Sequence, residues 1–239
     1  MAGLRARQSP IRRYLGTFHK TGTVMVQSIL EAADAQGILP VWIRYRDPEP
    51  AFWALAFDQH GDALPGLDPQ DRAAVVLRDP RDVIISATHY HLRACEPWLL
   101  APKPEFGGRS YRDALRSEPD LEHRILFEMA HASGDNIARQ VALARDRPEI
   151  GVFRYEDLAW DRGLTELRRL LAHLKLADPV TQAILRIAPA HLPGFAAVEQ
   201  GVHHRDGRAA QWRAVFTPAH HAEFAARFPD ALEILGYAS

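Results

Sequence analysis

LGTFHKTGTVMVQSIL, Leu15 to Leu30, passes from an apolar run through a short string of lysine, glycine and threonine into a segment of helical periodicity. The run reads as a buried strand ending at Phe18. Beyond it, Val26, Ile29, Leu30 and Ala33 repeat on one helical face. A strand feeding a helix through a glycine-containing loop leaves unpaired N–H groups at the helix start, those of Gly22, Thr23 and Val24, which favour an anion. Lys20 adds a positive charge, and Thr21 and Thr23 add hydroxyl donors. The Walker pattern, GxxxxGK[ST], is not met: Lys20 precedes Gly22 by two residues instead of following it. The alternative is that Thr23 caps a helix and Lys20 is solvated.

Similar apolar runs recur at Tyr14–Phe18, Val41–Tyr45, Ala73–Arg78 and Ile150–Tyr155, with helical patterns between them, such as Val83, Ile84 and Ala87 after the third. Strand-helix alternation predicts an α/β fold with a central parallel sheet covered by helices on both faces. Pro, Gly and Asp gather in Asp47–Asp71 and Ala101–Ser110, which read as irregular loops overhanging the sheet. Leu121–Arg147 reads as one long helix and Leu164–Leu176 as another. Thr217 is the expected N-cap of a tail helix with Pro218 at its first position.

With 239 residues and 47% hydrophobic content, the chain suits one domain over residues 1–239, with residues 1–12 as a flexible N-terminal segment. Lys plus Arg (29) nearly balance Asp plus Glu (30), so no global basic field points to nucleic acid, and any anion site must be local. Cys95 is the single cysteine, which excludes an intrachain disulfide and Cys-based zinc sites and favours a cytoplasmic setting. No 18-residue apolar run predicts a membrane span.

A second segment carries chemistry. VVLRDPRDVIISATHYHL, Val75 to Leu92, ends a strand at Arg78, turns at Asp79 and Pro80, and enters a helix bearing Ser86. An arginine fork and a hydroxyl at the carboxyl end of a strand suit a phosphate monoester. The plainer reading is an Arg78–Asp82 salt bridge with Ser86 as filler.

Together, HKTGT and RDPRDVIIS resemble the two nucleotide-binding motifs of sulfotransferases that use 3'-phosphoadenosine 5'-phosphosulfate (PAPS). FRYEDL, Phe153–Leu158, and HHRDGRAAQWRAVFTP, His203–Pro218, resemble that family's two later motifs, in the same order. The resemblance spans roughly residues 13 to 237. It implies a P-loop-like strand-loop-helix with Lys20, Thr21, Gly22, Thr23 and Val24 around the 5'-phosphosulfate. Arg78 and Ser86 would meet the 3'-phosphate, Arg205, Asp206 and Gly207 would lie over it, and Tyr155 would stand near the adenine. Trp212 reads instead as a packing anchor, and Glu156 with Asp157 as a support for the strand end. PAPS would be the donor and 3'-phosphoadenosine 5'-phosphate (PAP) the product, without a metal.

Sulfuryl transfer needs in-line positioning, charge stabilisation on the leaving phosphate oxygen and a base for the acceptor proton. Lys20 is the expected stabiliser. Family members commonly place a catalytic histidine on the loop before the 3'-phosphate strand, and His60 lies there; His19, His89 and His91 are weaker alternatives. Three positions depart from the family pattern: Asp58 where many members have lysine, Met25 where tryptophan often packs on adenine, and Asp206 where lysine is common. Phe52, Trp53, Phe57, Trp98 and Phe106 either line an acceptor pocket or belong to the core, while Arg44, Arg46, Arg93 and Arg109 are solvated or meet an acidic or sugar acceptor. The expected partner is a small-molecule, glycan or lipid acceptor. Rival readings are a P-loop NTPase or kinase-like enzyme and a catalytically decayed PAPS- or PAP-binding protein. The pairs His203/His204 and His220/His221 with His89/His91 lack metal-ligand spacing.

Overall fold

A computed structural model describes residues 11–44, 46–61, 64, 66–195 and 207–238. Its strands are β1 (Arg13–Thr17), β2 (Val41–Ile43), β3 (Leu55–Asp58), β4 (Arg72–Leu77) and β5 (Gly151–Arg154). They form one parallel sheet in the order β2-β3-β1-β4-β5. β1 pairs with β3 on one side, Tyr14 opposite Ala56, and with β4 on the other, Tyr14 opposite Ala73. The chain leaves β1 towards one edge and later returns to build the other. The carboxyl ends of β1 and β4 therefore flank the switch point at which open α/β sheets bind ligands.

Both faces of the sheet are covered. Leu15, Phe57, Ala74 and Val76 enter one core, built with Met25, Val26, Ile29 and Leu30 of α1 (Thr23–Ala35). Tyr14, Ala56, Ala73, Val75 and Leu77 face the opposite way and pack with Leu64, Ile150 and Leu235. The period of two along β1 and β4 distributes alternate side chains between the two layers. On the second face, α2 (Pro80–His91) contacts later helices of the chain, and its Ile84 and Ile85 pack with Ile125, Met129 and Ile137.

Several expected elements differ in the structure. The Asp47–Asp71 stretch contains β3, whose four residues Leu55–Asp58 are all buried. A strand buried on both faces lacks the apolar-polar alternation that marks strands, and its Pro- and Gly-rich flanks read as loop. The long helix expected over Leu121–Arg147 is broken. After the short helices α3 (Pro97–Leu100) and α4 (Tyr111–Ser117), the chain forms α5 (Leu121–Ala130) and α6 (Ala132–Asp146), separated by His131 at φ −129° and ψ −123°. The runs expected to end at Tyr45 and Tyr155 are shorter: β2 stops at Ile43, and Tyr155 opens α7 (Tyr155–Trp160). The helix expected over Leu164–Leu176 is α8 (Thr165–His173). α9 (Asp178–Ile187) and α10 (Trp212–Val215) follow. In the tail, Thr217 caps α11 (Pro218–Arg227) as the sequence predicts, with Pro218 in its first turn, before α12 (Ala231–Ile234).

The α5–α6 break brings Gly134 against the preceding helix, where a Cβ would stand 2.3 Å from the carbonyl oxygen of Met129. Backbone cannot yield as a side-chain tip does. Gly134→Ala is therefore expected to destabilise the fold by about 1–3 kcal/mol, measurable as a lower urea midpoint with an unchanged slope.

Candidate active site at the carboxyl ends of β1 and β4

The loop after β1 is built from its own backbone. Phe18 leaves the strand, Lys20 adopts φ 65° and Gly22 adopts φ 99°. Gly22 is the N-cap of α1 and offers no side-chain cap, so first-turn N–H groups of the helix remain available to an anion. Glycine is required there twice over. A side chain would be strained at that φ, and its Cβ would lie 2.6 Å from the Tyr155 ring.

The two threonines behave differently from the sequence expectation. Thr21 is fully buried. Its Oγ1 accepts from the Phe18 N–H (2.8 Å) and donates to the Phe18 carbonyl (3.0 Å). That hydroxyl closes the loop and is not presented to a ligand. Thr23 is the first residue of α1, not its cap, and its Oγ1 donates to the Phe18 carbonyl (3.1 Å) and lies 3.0 Å from Thr17 Oγ1. Val24, also on the first turn, is exposed.

Lys20 Nζ sits over the Tyr90 ring, 4.0 Å from its centroid. Burial, with the Arg78 guanidinium as the next cause, lowers its pKa from 10.5 to about 8, against a small opposing pull from Glu96. Arg78 follows β4 and is 5% exposed. Its guanidinium reaches the Lys20 carbonyl (3.5 Å), donates to the Arg208 carbonyl (3.2 Å), approaches Asp82 Oδ2 at 3.9 Å and lies 4.8 Å from the Tyr155 ring centroid. The salt bridge with Asp82 thus exists, but Arg78 Nε stays buried without a partner. A buried guanidinium N–H without an acceptor from the protein suits an anionic one. Ser86, on the second turn of α2, is partly exposed.

Tyr155 packs beneath the loop. Its ring fills the space beside Gly22, and its hydroxyl donates to the Gly207 carbonyl (3.1 Å), which also accepts from Trp160 Nε1 (3.2 Å). Tyr155 is buried, so it supports the cradle and joins it to the segment beginning at Gly207. Arg205, Asp206, His203 and His204 lie outside the described residues. Trp212 is the anchor that the sequence predicts: its N–H donates to Asp82 Oδ1 (3.0 Å), and Arg81 lies over its ring (3.7 Å). Burial pushes the Asp82 carboxyl up to about 6. Glu156 accepts from the Asp79 N–H (3.0 Å) and the Tyr237 hydroxyl (2.9 Å), tying the start of α2 to the tail.

His60 is exposed on the turn after β3. Asp58, at the position where lysine is common, is fully buried, and its Oδ1 accepts from the N–H groups of His60 (2.9 Å) and Gly61 (3.2 Å). It shapes the turn that presents His60. Met25 is buried in the core beneath the cradle. Phe57 is core, Phe52 is 72% exposed, and Trp53 packs on Tyr14 and Trp42. Trp98 and Phe106 do gather, around Tyr111, with Trp98 against His91.

Sequence reasoning missed Glu128 and Tyr90. Glu128 is fully buried with Ile125 and Met129 on one face of α5; a carboxylate on an apolar stripe was its signal. Tyr90 has none, because its role depends on the position of Lys20. His220 is absorbed structurally: its Nδ1 accepts from the Thr217 N–H (2.9 Å), and its Nε2 meets the Glu122 carbonyl (3.0 Å).

No protein-family model matches the sequence, and a search of curated proteins returns no match. Solved structures do resemble the chain. Mouse sulfotransferase SULT7A1 complexed with PAP aligns at TM-score 0.56 and 16% identity, over 93% of this chain and 84% of that one. Retinol dehydratase in complex with androsterone and the inactive cofactor PAP aligns at 0.51 and 14%, over 93% and 80%. Its complex with retinol and PAP aligns at 0.50 and 14%, over 94% and 82%. The chain therefore has the α/β fold of PAP-binding sulfotransferases. Among the described residues no helix is long and apolar enough to cross a membrane.

The depressed pKa of Lys20 has a measurable cost. Below about pH 8 the lysine is charged in both the folded and unfolded states, and the folded state bears the full desolvation penalty. Between pH 8 and 10.5 the folded state loses its proton first, so this penalty disappears. Lys20→Met is thus expected to stabilise the unliganded protein at pH 7 by on the order of 2 kcal/mol, with the gain shrinking at pH 10, as read by urea denaturation at both values.

Proposed function

We propose that the chain transfers a sulfuryl group from PAPS to a hydroxyl or amine of a small acceptor. The observation that carries this reading is the convergence of the α1 N-terminus, Lys20 and the Arg78 guanidinium at the switch point of a sulfotransferase-like sheet. These groups fit a ligand with two separated anionic ends. The cradle from Lys20 to Val24 suits the 5'-phosphosulfate through backbone N–H groups and one ammonium. Arg78, with its unpaired Nε, and Ser86 suit the 3'-phosphate, and Arg205, Asp206 and Gly207 are proposed to close over that end. The adenine is proposed to lie by the Tyr155 side of the cradle.

In the reaction, the acceptor oxygen or nitrogen forms a bond to sulfur while the bridging S–O bond breaks. Its electron pair passes to the 5'-phosphate oxygen of PAP. Lys20 and the first-turn N–H groups meet that developing charge, which strengthens as the bond opens, so their stabilisation is larger in the transition state than in the ground state. The acceptor proton goes to a histidine base, for which the resemblance points to His60. The transferred group carries less charge than a phosphoryl group, so this reading requires no metal clamp.

Lys20 rests on Tyr90, which belongs to an apolar cluster with Tyr111, against which Trp98 and Phe106 pack, and this surrounding favours a largely apolar acceptor with one reactive hydroxyl. Androsterone and retinol, in the complexes of the structurally similar retinol dehydratase, are molecules of that kind.

Calorimetric titration with PAP, in parallel with ATP plus Mg²⁺, tests the reading. PAP is expected to bind and ATP to bind more weakly, with Arg78→Ala reducing PAP affinity by about 1.5–3 kcal/mol. Lys20→Ala is expected to lower turnover of PAPS on the order of 100-fold. Preference for ATP with Mg²⁺ would favour a nucleoside triphosphatase, and binding of PAP without turnover a decayed site.

A further inference from the structure

A buried chain of titratable side chains runs from the interior to the phosphate cradle. It begins at Glu128 on α5, which is fully buried. The Glu128 carboxylate accepts from Ser133 Oγ (2.8 Å) and meets His91 Nδ1 at 2.6 Å. His91, on α2, is 1% exposed. Its Nε2 lies 3.0 Å from His19 Nε2, with the two rings nearly parallel at 8°. His19 directly precedes Lys20 and is partly exposed.

The proton positions follow from the donors. As a carboxylate, Glu128 only accepts hydrogen bonds, as it does from Ser133 Oγ. His91 must then present Nδ1–H to Glu128, which leaves its Nε2 as an acceptor. The 3.0 Å contact therefore requires His19 to donate from Nε2. Neutral His19 consequently carries its lone pair on Nδ1, the nitrogen that is not engaged with His91.

We propose that His19 is the base that takes the acceptor proton, on Nδ1, with His91 and Glu128 as positioning residues that fix its tautomer and stabilise its imidazolium. This inference rests on the sulfuryl-transfer reading. As the acceptor oxygen bonds to sulfur, its proton passes to His19 Nδ1. The imidazolium so formed keeps its Nε2–H bond to His91, whose Nδ1–H remains on the Glu128 carboxylate. His19 then returns the proton to solvent.

Placement supports the role. His19 packs edge-on against the Tyr90 ring at 5.4 Å, the same ring that carries Lys20 Nζ at 4.0 Å. The base and the cation for the leaving oxygen thus share one platform. The titratable and charged groups facing His19 are His91 and Tyr90 from α2, Lys20 from its own loop, His60 from the turn after β3 and Arg139 from α6. Burial first, and then His91, Lys20, His60 and Arg139, hold the imidazole well below its usual range. His19 is therefore unprotonated through neutral pH, as a base must be.

Two measurements on the full chain test the proposal. Nitrogen-15 NMR of the histidine rings, with and without PAP, is expected to show neutral His19 as the Nε2–H tautomer at pH 7; an Nδ1–H tautomer or an imidazolium there would overturn it. Turnover of PAPS with 2-naphthol is expected to fall on the order of 100-fold in His19→Gln, which keeps a donor for His91, while calorimetric PAP affinity stays near the wild-type value. In Glu128→Gln, kcat is expected to fall and its acid limb to move to lower pH, because the imidazolium loses its anionic support. A merely structural Glu128 would lower Tm and leave the limb in place. If the wild type does not bind PAP, the sulfuryl-transfer reading itself fails. If it binds PAP and His19→Gln turns over at the wild-type rate while His60→Ala does not, only this proposal fails and the base is His60.

Discussion

The buried guanidinium of Arg78 connects three parts of the chain that are remote in sequence. It reaches the Lys20 carbonyl in the loop after β1, Asp82 at the start of α2 and the Arg208 carbonyl in the segment that precedes α10. A guanidinium suits this position because its planar fork holds five donors in fixed directions and keeps its charge when buried. Asp82 in turn anchors the Trp212 N–H. The geometry of the cradle therefore depends on the C-terminal segment as well as on the first strand. Tyr155 reinforces this link, touching Gly22 with its ring and Gly207 with its hydroxyl.

A chain of formal net charge −1 thereby concentrates cationic and donor groups in one crevice. Burial and the neighbouring Arg78 guanidinium lower the tendency of Lys20 to hold its proton, and α1 adds the positive end of its dipole. Such an arrangement is unfavourable without a ligand and favourable with an anionic one. The Tyr90 ring on which Lys20 rests adds an aromatic face that does not compete for the anion.

Much of this was readable in the sequence because the signals were local. The β1–α1 and β4–α2 units, Arg78 at a strand end, the Thr217 cap and the Trp212 anchor each rest on residues close together in the chain. What escaped depended on partners far away. β3 has no alternation because both its faces are buried. The Thr21 hydroxyl turns inwards to Phe18, a choice set by the loop's closure and invisible in composition. The break between α5 and α6 occurs within a continuous helical pattern, where Gly134 allows the close approach of Met129. His19, His91 and Glu128 meet only because the loop, α2 and α5 converge, and no spacing rule connects them.

The central position of β1 also bears on how the chain acquires its structure during synthesis. β1 leaves the ribosome first, yet its two partners are β3, from Leu55, and β4, from Arg72. Until Leu77 has emerged, β1 cannot be hydrogen-bonded along both edges in its native register, and the Gly207 and Arg208 carbonyls that complete the cradle come far later. Contacts of such long range make folding slow and leave apolar strand edges open to wrong partners meanwhile. The nascent chain thus passes through a stage in which the loop after β1 already exists as sequence but lacks the carbonyls on which Arg78 and Tyr155 later close.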